Sequence, residues 1–198
     1  MNLRLGVPKE PENETRVGIV PSSMKKLLKA GFEVLVEKGA GVSANYSDAD
    51  YEAAGAKIVS RVDVLACENI VCINFPGIEG ISENTNLACV ADPFRNPEYV
   101  KQCISSNITL MSMDMIPRRL SRAQSMDVNS SQDNLAGYKA VLLGAANVPK
   151  GIPMMTTSAG TVRPAKVVVM GSGVAGLQAI ATAKRLGCLL YTSPSPRD

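Results

Sequence analysis

The sequence of 198 residues predicts an α/β fold in which helices flank a parallel sheet. Short apolar runs rich in β-branched residues alternate with helical patterns from Leu3 onward, as in successive βαβ units. The clearest unit comes late in the chain, where the apolar run Val167–Met170 is followed by three glycines and then by a helical pattern. A hydrophobic content of 45% is sufficient for a sizeable core.

Strands are predicted at the apolar runs, and helices where apolar residues recur with a helical period. The predicted strands are Leu3–Val7, Phe32–Glu37, Lys57–Val59, Ile70–Ile73, Leu87–Ala91, Ile108–Met111 and Val167–Met170. The predicted helices begin near Pro21, Asp48, Val62, Asn96, Leu135 and Leu177. Residues 115–132 interrupt the pattern with a polar loop, and residues 147–163 form a Pro-, Gly- and Thr-rich connection. We therefore expect a first domain at residues 1–144 and a second domain from residue 145.

The three late glycines have the G-x-G-x-x-G spacing of a dinucleotide-binding turn. Gly171 would take the sharp turn, Gly173 would let a pyrophosphate approach the backbone, and Gly176 would let helix and strand pack closely. Val174 and Ala175, in the first helical turn, would offer free N–H groups to the phosphates. The alternative is a glycine-rich turn that only packs a helix on a sheet.

Composition excludes several other classes of function. The net charge is +3 without a basic block and aromatic residues make up 4%, so we expect no nucleic-acid partner. The chain has no histidine, and its five cysteines form no Cys-x-x-Cys pair, so no metal site is predicted and buried free thiols are expected. Without histidine, Ser-His-Asp and Cys-His catalysis are excluded. The chemistry must therefore rest on a cofactor or on carboxylate, Lys, Arg or Tyr side chains.

Three stretches resemble the family of alanine dehydrogenases and proton-translocating nicotinamide nucleotide transhydrogenases. They are Gly6–Glu10 with Asn13–Arg16, the loop Ser121–Ser131 followed by Asn134–Lys139, and Met154–Thr161 leading into the glycine turn. The chain looks like the NAD(H)-binding component of a transhydrogenase alpha subunit. The resemblance implies two Rossmann-like domains, the second of which binds NAD(H) at the cleft.

The same resemblance implies roles for four residues of the polar loop. Arg119 would hold the nicotinamide side of NAD(H), and Asp127 and Ser130 would hydrogen-bond its carboxamide. Gln124 would point toward NADP(H) on a partner domain. Arg118 is one arginine more than the family pattern has and is a rival for the role of Arg119. The alternative for the whole loop is a solvated polar turn.

The implied reaction is hydride transfer from NADH to NADP⁺ on a partner domain, coupled to proton movement through a membrane component. The implied assembly is a homodimer bound peripherally to a membrane complex, on the cytoplasmic face of the bacterial inner membrane or the mitochondrial matrix side. Hydride transfer between two nicotinamides releases no proton at the reacting carbons, which fits a chain without histidine. Alanine dehydrogenases use a histidine to move a proton.

Two further positions bear on the choice of reaction. Cys72 stands where family members commonly have a lysine, which in alanine dehydrogenases binds the substrate carboxylate. Arg16 is retained, either as a ligand or as a surface ion pair with Glu14. The remaining alternatives are an alanine-dehydrogenase-like amino-acid oxidoreductase and a non-catalytic nucleotide-binding module.

The end of the chain departs from the family. Cys188–Asp198 resembles a translated sequencing adaptor, so we expect the resemblance to stop at Gly187; the alternative is a natural Pro- and Ser-rich tail. The apolar composition of Leu189–Thr192 suits a strand, although only by accident on this interpretation. Pro194 stands where the family has an acid that binds the adenosine ribose, and proline offers no acceptor side chain. This chain alone is therefore expected to bind NAD(H) poorly and to be inactive.

Overall fold

The computed structural model describes residues 3–193, which form two compact units that divide between Met126 and Asp127. Residues 194–198, including Pro194, lie outside the described residues. Across residues 3–193 there is no helix with the length and apolar character that crossing a bilayer requires.

The first unit is a six-stranded sheet in which every strand pair is parallel. Its strands are β1 (Leu3–Val7), β2 (Phe32–Glu37), β3 (Lys57–Val59), β4 (Asn69–Asn74), β5 (Asn86–Val90) and β6 (Thr109–Ser112). Its helices are α1 (Met24–Lys29), α2 (Asp48–Ala53), α3 (Arg61–Leu65) and α4 (Pro97–Ser105). The predicted Rossmann-like α/β fold is confirmed, and each predicted strand of this unit corresponds to an observed strand.

Two apolar clusters form the core of this unit. The first joins β1 and β2 to α1 and α2 through side chains such as Val7, Val36, Met24 and Tyr51. The second joins β4, β5 and α4 and includes Ile70, Leu87, Cys89 and Cys103. Serine N-caps with an aspartate at the third helical position begin both α2 and α3, which fixes where these short helices start.

The strand order β3-β2-β1-β4-β5-β6 places a switch point between β1 and β4. The chain runs outward from β1 through β2 to β3, and then returns to the other side of β1 with β4. In open parallel sheets, ligands bind in the crevice beyond the carboxyl ends of the strands at such a point. The fold therefore singles out the loops that follow β1 and β4.

The second unit begins with the long helix α5 (Val128–Asn147) and continues with an antiparallel hairpin of β7 (Met155–Thr157) and β8 (Gly160–Val162). It ends with β9 (Lys166–Met170), α6 (Val174–Arg185) and β10 (Leu189–Ser193), and β10 pairs parallel with β9.

Three features of the second unit differ from the sequence-based expectations. Helix α5 begins at Val128 rather than Leu135, so residues 128–132 are helical and the boundary predicted near Gly144 falls inside a helix. The connection before β9 contains a hairpin that its Pro, Gly and Thr content concealed. The apolar residues after Gly187 do form a strand, since β10 pairs parallel with β9 along its whole length.

Candidate functional site

The glycine turn between β9 and α6 has the shape that the sequence predicted. Gly171 adopts a φ of +99°, a left-handed conformation that favours glycine, and Gly173 is the N-cap residue of α6. No side-chain hydrogen bond caps this helix within the described residues. The N–H groups of the first turn are therefore available to an anion, and the positive end of the helix dipole points the same way.

The space around the three glycines suits a dinucleotide. A Cβ built on Gly171 or Gly173 would meet no atom within 4 Å, so the turn is open on that side. A Cβ built on Gly176 would lie 2.1 Å from the carbonyl oxygen of Gly171, so only glycine allows this close approach of helix and turn. The turn is open where a pyrophosphate would approach and closed where helix meets strand.

Asp127 and Ser130 form a polar pair at the start of α5. Asp127 is the N-cap residue, and its Oδ1 accepts a hydrogen bond from the Ser130 backbone N–H at 2.9 Å. Its Oδ2 accepts a hydrogen bond from the Ser130 hydroxyl at 2.5 Å. A carboxylate has about four acceptor positions and a hydroxyl oxygen has two lone pairs. The chemistry of the pair therefore suits the two N–H groups of a carboxamide.

Helix α5 lies directly against the first turn of α6. Gly137 is buried, and a Cβ at this position would lie 2.1 Å from the carbonyl oxygen of Ala175. Next to this contact, Asn134 Nδ2 donates a hydrogen bond to Gln178 Oε1 at 3.3 Å. Ser130 stands two helical turns before Gly137, or roughly 10 Å along α5. The second unit thus places the Asp127–Ser130 pair and the glycine turn on two helices in direct contact.

The other predicted loop residues belong to the first unit. Arg118 and Arg119 occupy the two central positions of a turn closed by a hydrogen bond from the Leu120 N–H to the Pro117 carbonyl oxygen. Both arginines are exposed. Gln124 is also exposed and begins the short 3₁₀ turn Gln124–Met126.

A cavity of about 240 Å³ lies at the switch point of the first sheet and was missed by the sequence reasoning. Its lining includes Lys9, Glu37, Arg61 and Cys72. Arg61 donates a hydrogen bond to the Glu37 carboxylate at 3.0 Å, and the Lys9 backbone N–H donates to the same oxygen at 2.7 Å. The signal that could have located this cavity is the strand order, which depends on pairings between distant residues.

Arg16 forms an ion pair with Glu14, which is the alternative that the sequence left open. Its Nε and its terminal nitrogen donate to the two carboxylate oxygens at 2.8 and 2.7 Å. Asn74 Nδ2 donates to Glu14 and also to the buried Glu10, whose carboxylate accepts the Ile73 backbone N–H at 2.6 Å. The hydrogen bond from Arg16 is the main cause that lowers the pKa of Glu14 to about 2. The guanidinium of Arg16 thus forms its ion pair with a carboxylate of its own chain.

Cys72 is a buried, uncharged group at the edge of the cavity. A hydrogen bond with Cys89 and burial both raise the pKa of its thiol above the usual value. The thiol is therefore protonated at neutral pH and cannot attract a substrate carboxylate as a lysine would. Within residues 3–193, no group of three or more His, Cys, Asp or Glu side chains could hold a metal ion.

A parallel sheet, a strand–glycine turn–helix unit and an open helix N-terminus define a Rossmann-like protein of the NAD-binding class. The comparisons with known proteins specify the family. The model described as "Alanine dehydrogenase/PNT, N-terminal domain" matches residues 6–136, and the corresponding C-terminal domain model matches residues 140–193. The chain belongs to the alanine dehydrogenase/PNT family. The second match continues past Gly187, where the sequence predicted that the resemblance ends.

Within this family, the chain is more similar to transhydrogenases than to alanine dehydrogenases. It is 46% identical over 202 aligned positions to an NAD(P) transhydrogenase subunit alpha polypeptide of Rhodospirillum rubrum, covering 96% of this chain and 52% of the relative. A transhydrogenase structure from Sinorhizobium meliloti gives a TM-score of 0.91 at 42% identity, covering 96% of this chain and 56% of that one. An L-alanine dehydrogenase structure gives 0.84 at 29% identity, with coverages of 96% and 54%. The chain spans about half the length of these relatives.

Proposed function

We propose that this chain is a portion of the NAD(H)-binding component of a proton-translocating transhydrogenase, which transfers hydride from NADH to NADP⁺ on a partner domain. The observation that carries the proposal is the arrangement of the second unit. There, an acceptor pair suited to a carboxamide and a glycine turn suited to a pyrophosphate lie on two helices in contact. The greater identity to transhydrogenases than to alanine dehydrogenases supports the same assignment.

Each element of the site has a separate task in this proposal. The N–H groups of Val174, Ala175 and Gly176 would hold the pyrophosphate beside Gly171 and Gly173. Asp127 and Ser130 would accept the carboxamide N–H groups and so fix the orientation of the nicotinamide ring. Arg119, or its neighbour Arg118, would contact the nicotinamide side, and Gln124 would face the NADP(H) of the partner domain. NADH supplies the hydride, and the chain contributes orientation and exclusion of water.

The chemistry of the first unit favours transhydrogenation over amino-acid dehydrogenation. An amino-acid dehydrogenase must bind a substrate carboxylate and move a proton. This chain has no histidine, its Cys72 thiol is uncharged, and Arg16 is paired with Glu14. Hydride transfer between two nicotinamides needs none of these functions.

The proposed partners are the NADP(H)-binding and membrane components of the transhydrogenase. We place the complex at the cytoplasmic face of a bacterial inner membrane, or on the matrix side in an organelle. A second copy of the chain is also proposed, and the hairpin of β7 and β8 is a suitable contact because all six of its residues are exposed. Apolar exposed side chains in and beside it include Met154, Met155 and Val162.

A chimera tests the proposal. Residues 3–187 of this chain would replace the matching half of the Rhodospirillum rubrum subunit, which then supplies the rest of the NAD-binding domain. Mixed with the other subunits of that enzyme, the chimera should reduce an NADP⁺ analogue with NADH, and the unaltered subunit is the control. A folded chimera without this turnover, or one that oxidises NADH with pyruvate instead, would refute the proposal.

A further inference from the structure

The contact between α5 and α6 depends on a glycine in the middle of a long helix. Gly137 is the buried residue of the 20-residue α5, and a Cβ there would lie 2.1, 2.9 and 3.0 Å from the carbonyl oxygen, carbonyl carbon and Cα of Ala175. All three atoms belong to the backbone, so no side-chain rotation can relieve the overlap.

Helix formation does not require glycine at this position. Glycine is a poor residue for a helix interior, because it loses more backbone freedom on folding than any other residue. Gly144 lies in the same helix, and a Cβ there would meet no atom within 4 Å. Of the two glycines, Gly137 is the one that α6 approaches closely.

The contact lies between the two ends of the proposed site. Ala175 is in the first turn of α6, where the pyrophosphate would bind, and Ser130 precedes Gly137 by two turns on α5. Resting on the proposed function, we propose that Gly137 is a positioning residue, which sets the distance from the nicotinamide-binding pair Asp127–Ser130 to the phosphate-binding glycine turn. Asn134 and Gln178 fix the same crossing through their hydrogen bond.

The size of the expected displacement follows from the geometry. An ordinary contact of a Cβ with a backbone oxygen is at least about 3 Å, whereas alanine at position 137 would lie 2.1 Å away. Helix α5 must therefore move away from α6 by about 1 Å. A displacement of this size can lower the rate of a reaction that depends on orientation by about 100-fold. The phosphate contacts belong to α6 and its turn, so NADH affinity should change much less.

The test compares Gly137→Ala with the matched control Gly144→Ala in the chimera described above. We expect Gly137→Ala to lower the single-turnover rate of hydride transfer by about 10- to 100-fold. The Kd for NADH, measured by fluorescence titration, should change less than about threefold, and crystal structures should show α5 displaced from α6. Gly144→Ala should leave all three readouts unchanged.

The outcomes separate this inference from the proposed function. An active parent chimera in which Gly137→Ala keeps its transfer rate, or loses rate and NADH affinity equally, would refute the positioning role alone. An inactive parent chimera would refute the proposed function. The spacing role would still be tested in that case, because crystal structures in which α5 of Gly137→Ala is not displaced from α6 would refute it. If Gly137→Ala does not fold, Asn134→Ala decides, because it loosens the crossing without adding volume. A rate lowered at least about twofold at unchanged Kd supports the role, and an unchanged rate refutes it.

Discussion

The cap at Asp127 allows a structural role to be separated from a ligand-binding role. Asp127 accepts two hydrogen bonds from Ser130, one from the backbone N–H at the third helical position and one from the hydroxyl. Replacement by alanine removes both bonds and leaves that backbone N–H without its acceptor. Replacement by asparagine keeps an oxygen that can accept from the same N–H, but its amide nitrogen cannot accept from the Ser130 hydroxyl. This second variant therefore loses the negative charge and the hydroxyl bond and keeps the backbone cap.

The expected magnitudes follow from these contacts. Loss of an N-cap side chain costs about 1 kcal/mol and up to about 2 kcal/mol. We expect the upper end of this range for Asp127→Ala, because two hydrogen bonds are lost. In addition, Gly137 is the buried residue of α5, so burial of side chains contributes little to holding the start of this helix in place. Asp127→Asn keeps the bond from the backbone N–H and should lose less: the attraction between the charge and the N-terminus of the helix, about 0.3–1 kcal/mol, and the bond from the Ser130 hydroxyl. The free energy of unfolding should therefore fall in the order wild type, Asp127→Asn, Asp127→Ala.

Urea unfolding followed by far-ultraviolet circular dichroism measures the difference. With a slope of about 1–3 kcal/mol per molar urea, a loss of about 2 kcal/mol lowers the midpoint by about 0.7–2 M. Equal midpoints for wild type and Asp127→Ala would refute the capping role. A midpoint for Asp127→Asn as low as that for Asp127→Ala would show that the charge and the Ser130 hydroxyl bond, rather than the bond from the backbone N–H, stabilise the start of α5.

Two further predictions concern the ion pair of the first unit and the cysteine thiols. Glu14→Gln should lower the free energy of unfolding by about 1 kcal/mol at neutral pH, after allowance for the partial exposure of its partner Arg16. The pKa of Glu14 is lowered from 4.5 to about 2, so its stabilisation is complete above pH 4.5 and is lost as the pH falls through about 2. The difference between variant and wild type should shrink over that interval in pH-dependent denaturation, and a constant difference would contradict the ion-pair explanation. Iodoacetamide at pH 7.5 should modify the partly exposed Cys188 before the buried Cys72, as measured by peptide mass spectrometry. Earlier modification of Cys72 would show that its thiol is neither shielded from the reagent nor held in its neutral form.

The sheet of the first unit was predictable because its strands carry their signal locally. Runs such as Phe32–Glu37 are apolar and β-branched, and each ends at a glycine, a proline or a polar turn. The glycine turn was predictable for the same reason, since spacing and flanking pattern occur within one short segment. Strand order, and with it the cavity at the switch point, was not predictable because it depends on pairings between distant residues.

The start of α5 was missed because its first turns are polar. Residues 128–134 contain two serines and two asparagines, which have low helix propensity and no apolar period. A local signal was nevertheless present, since Asp127 followed three residues later by Ser130 is an N-cap arrangement. That signal places Asp127 and Ser130 at a helix N-terminus rather than in a loop, whereas the family resemblance alone points to them as ligand-binding residues.

Under the proposed function, the same N-terminus explains how a chain without histidine would contribute to redox chemistry. Groups that orient a nicotinamide ring need only to accept and donate hydrogen bonds at fixed positions, whereas groups that move protons need a pKa near neutrality. Asp127 and Ser130 are fixed by each other and by the start of α5, and the N–H groups of α6 are fixed by the helix itself. Under the proposed function, the helices in contact at Gly137 would therefore supply the fixed positions that hydride transfer between two nicotinamides requires. An amino-acid dehydrogenase would need a proton carrier in addition to such an arrangement, and this chain has no histidine to act as one.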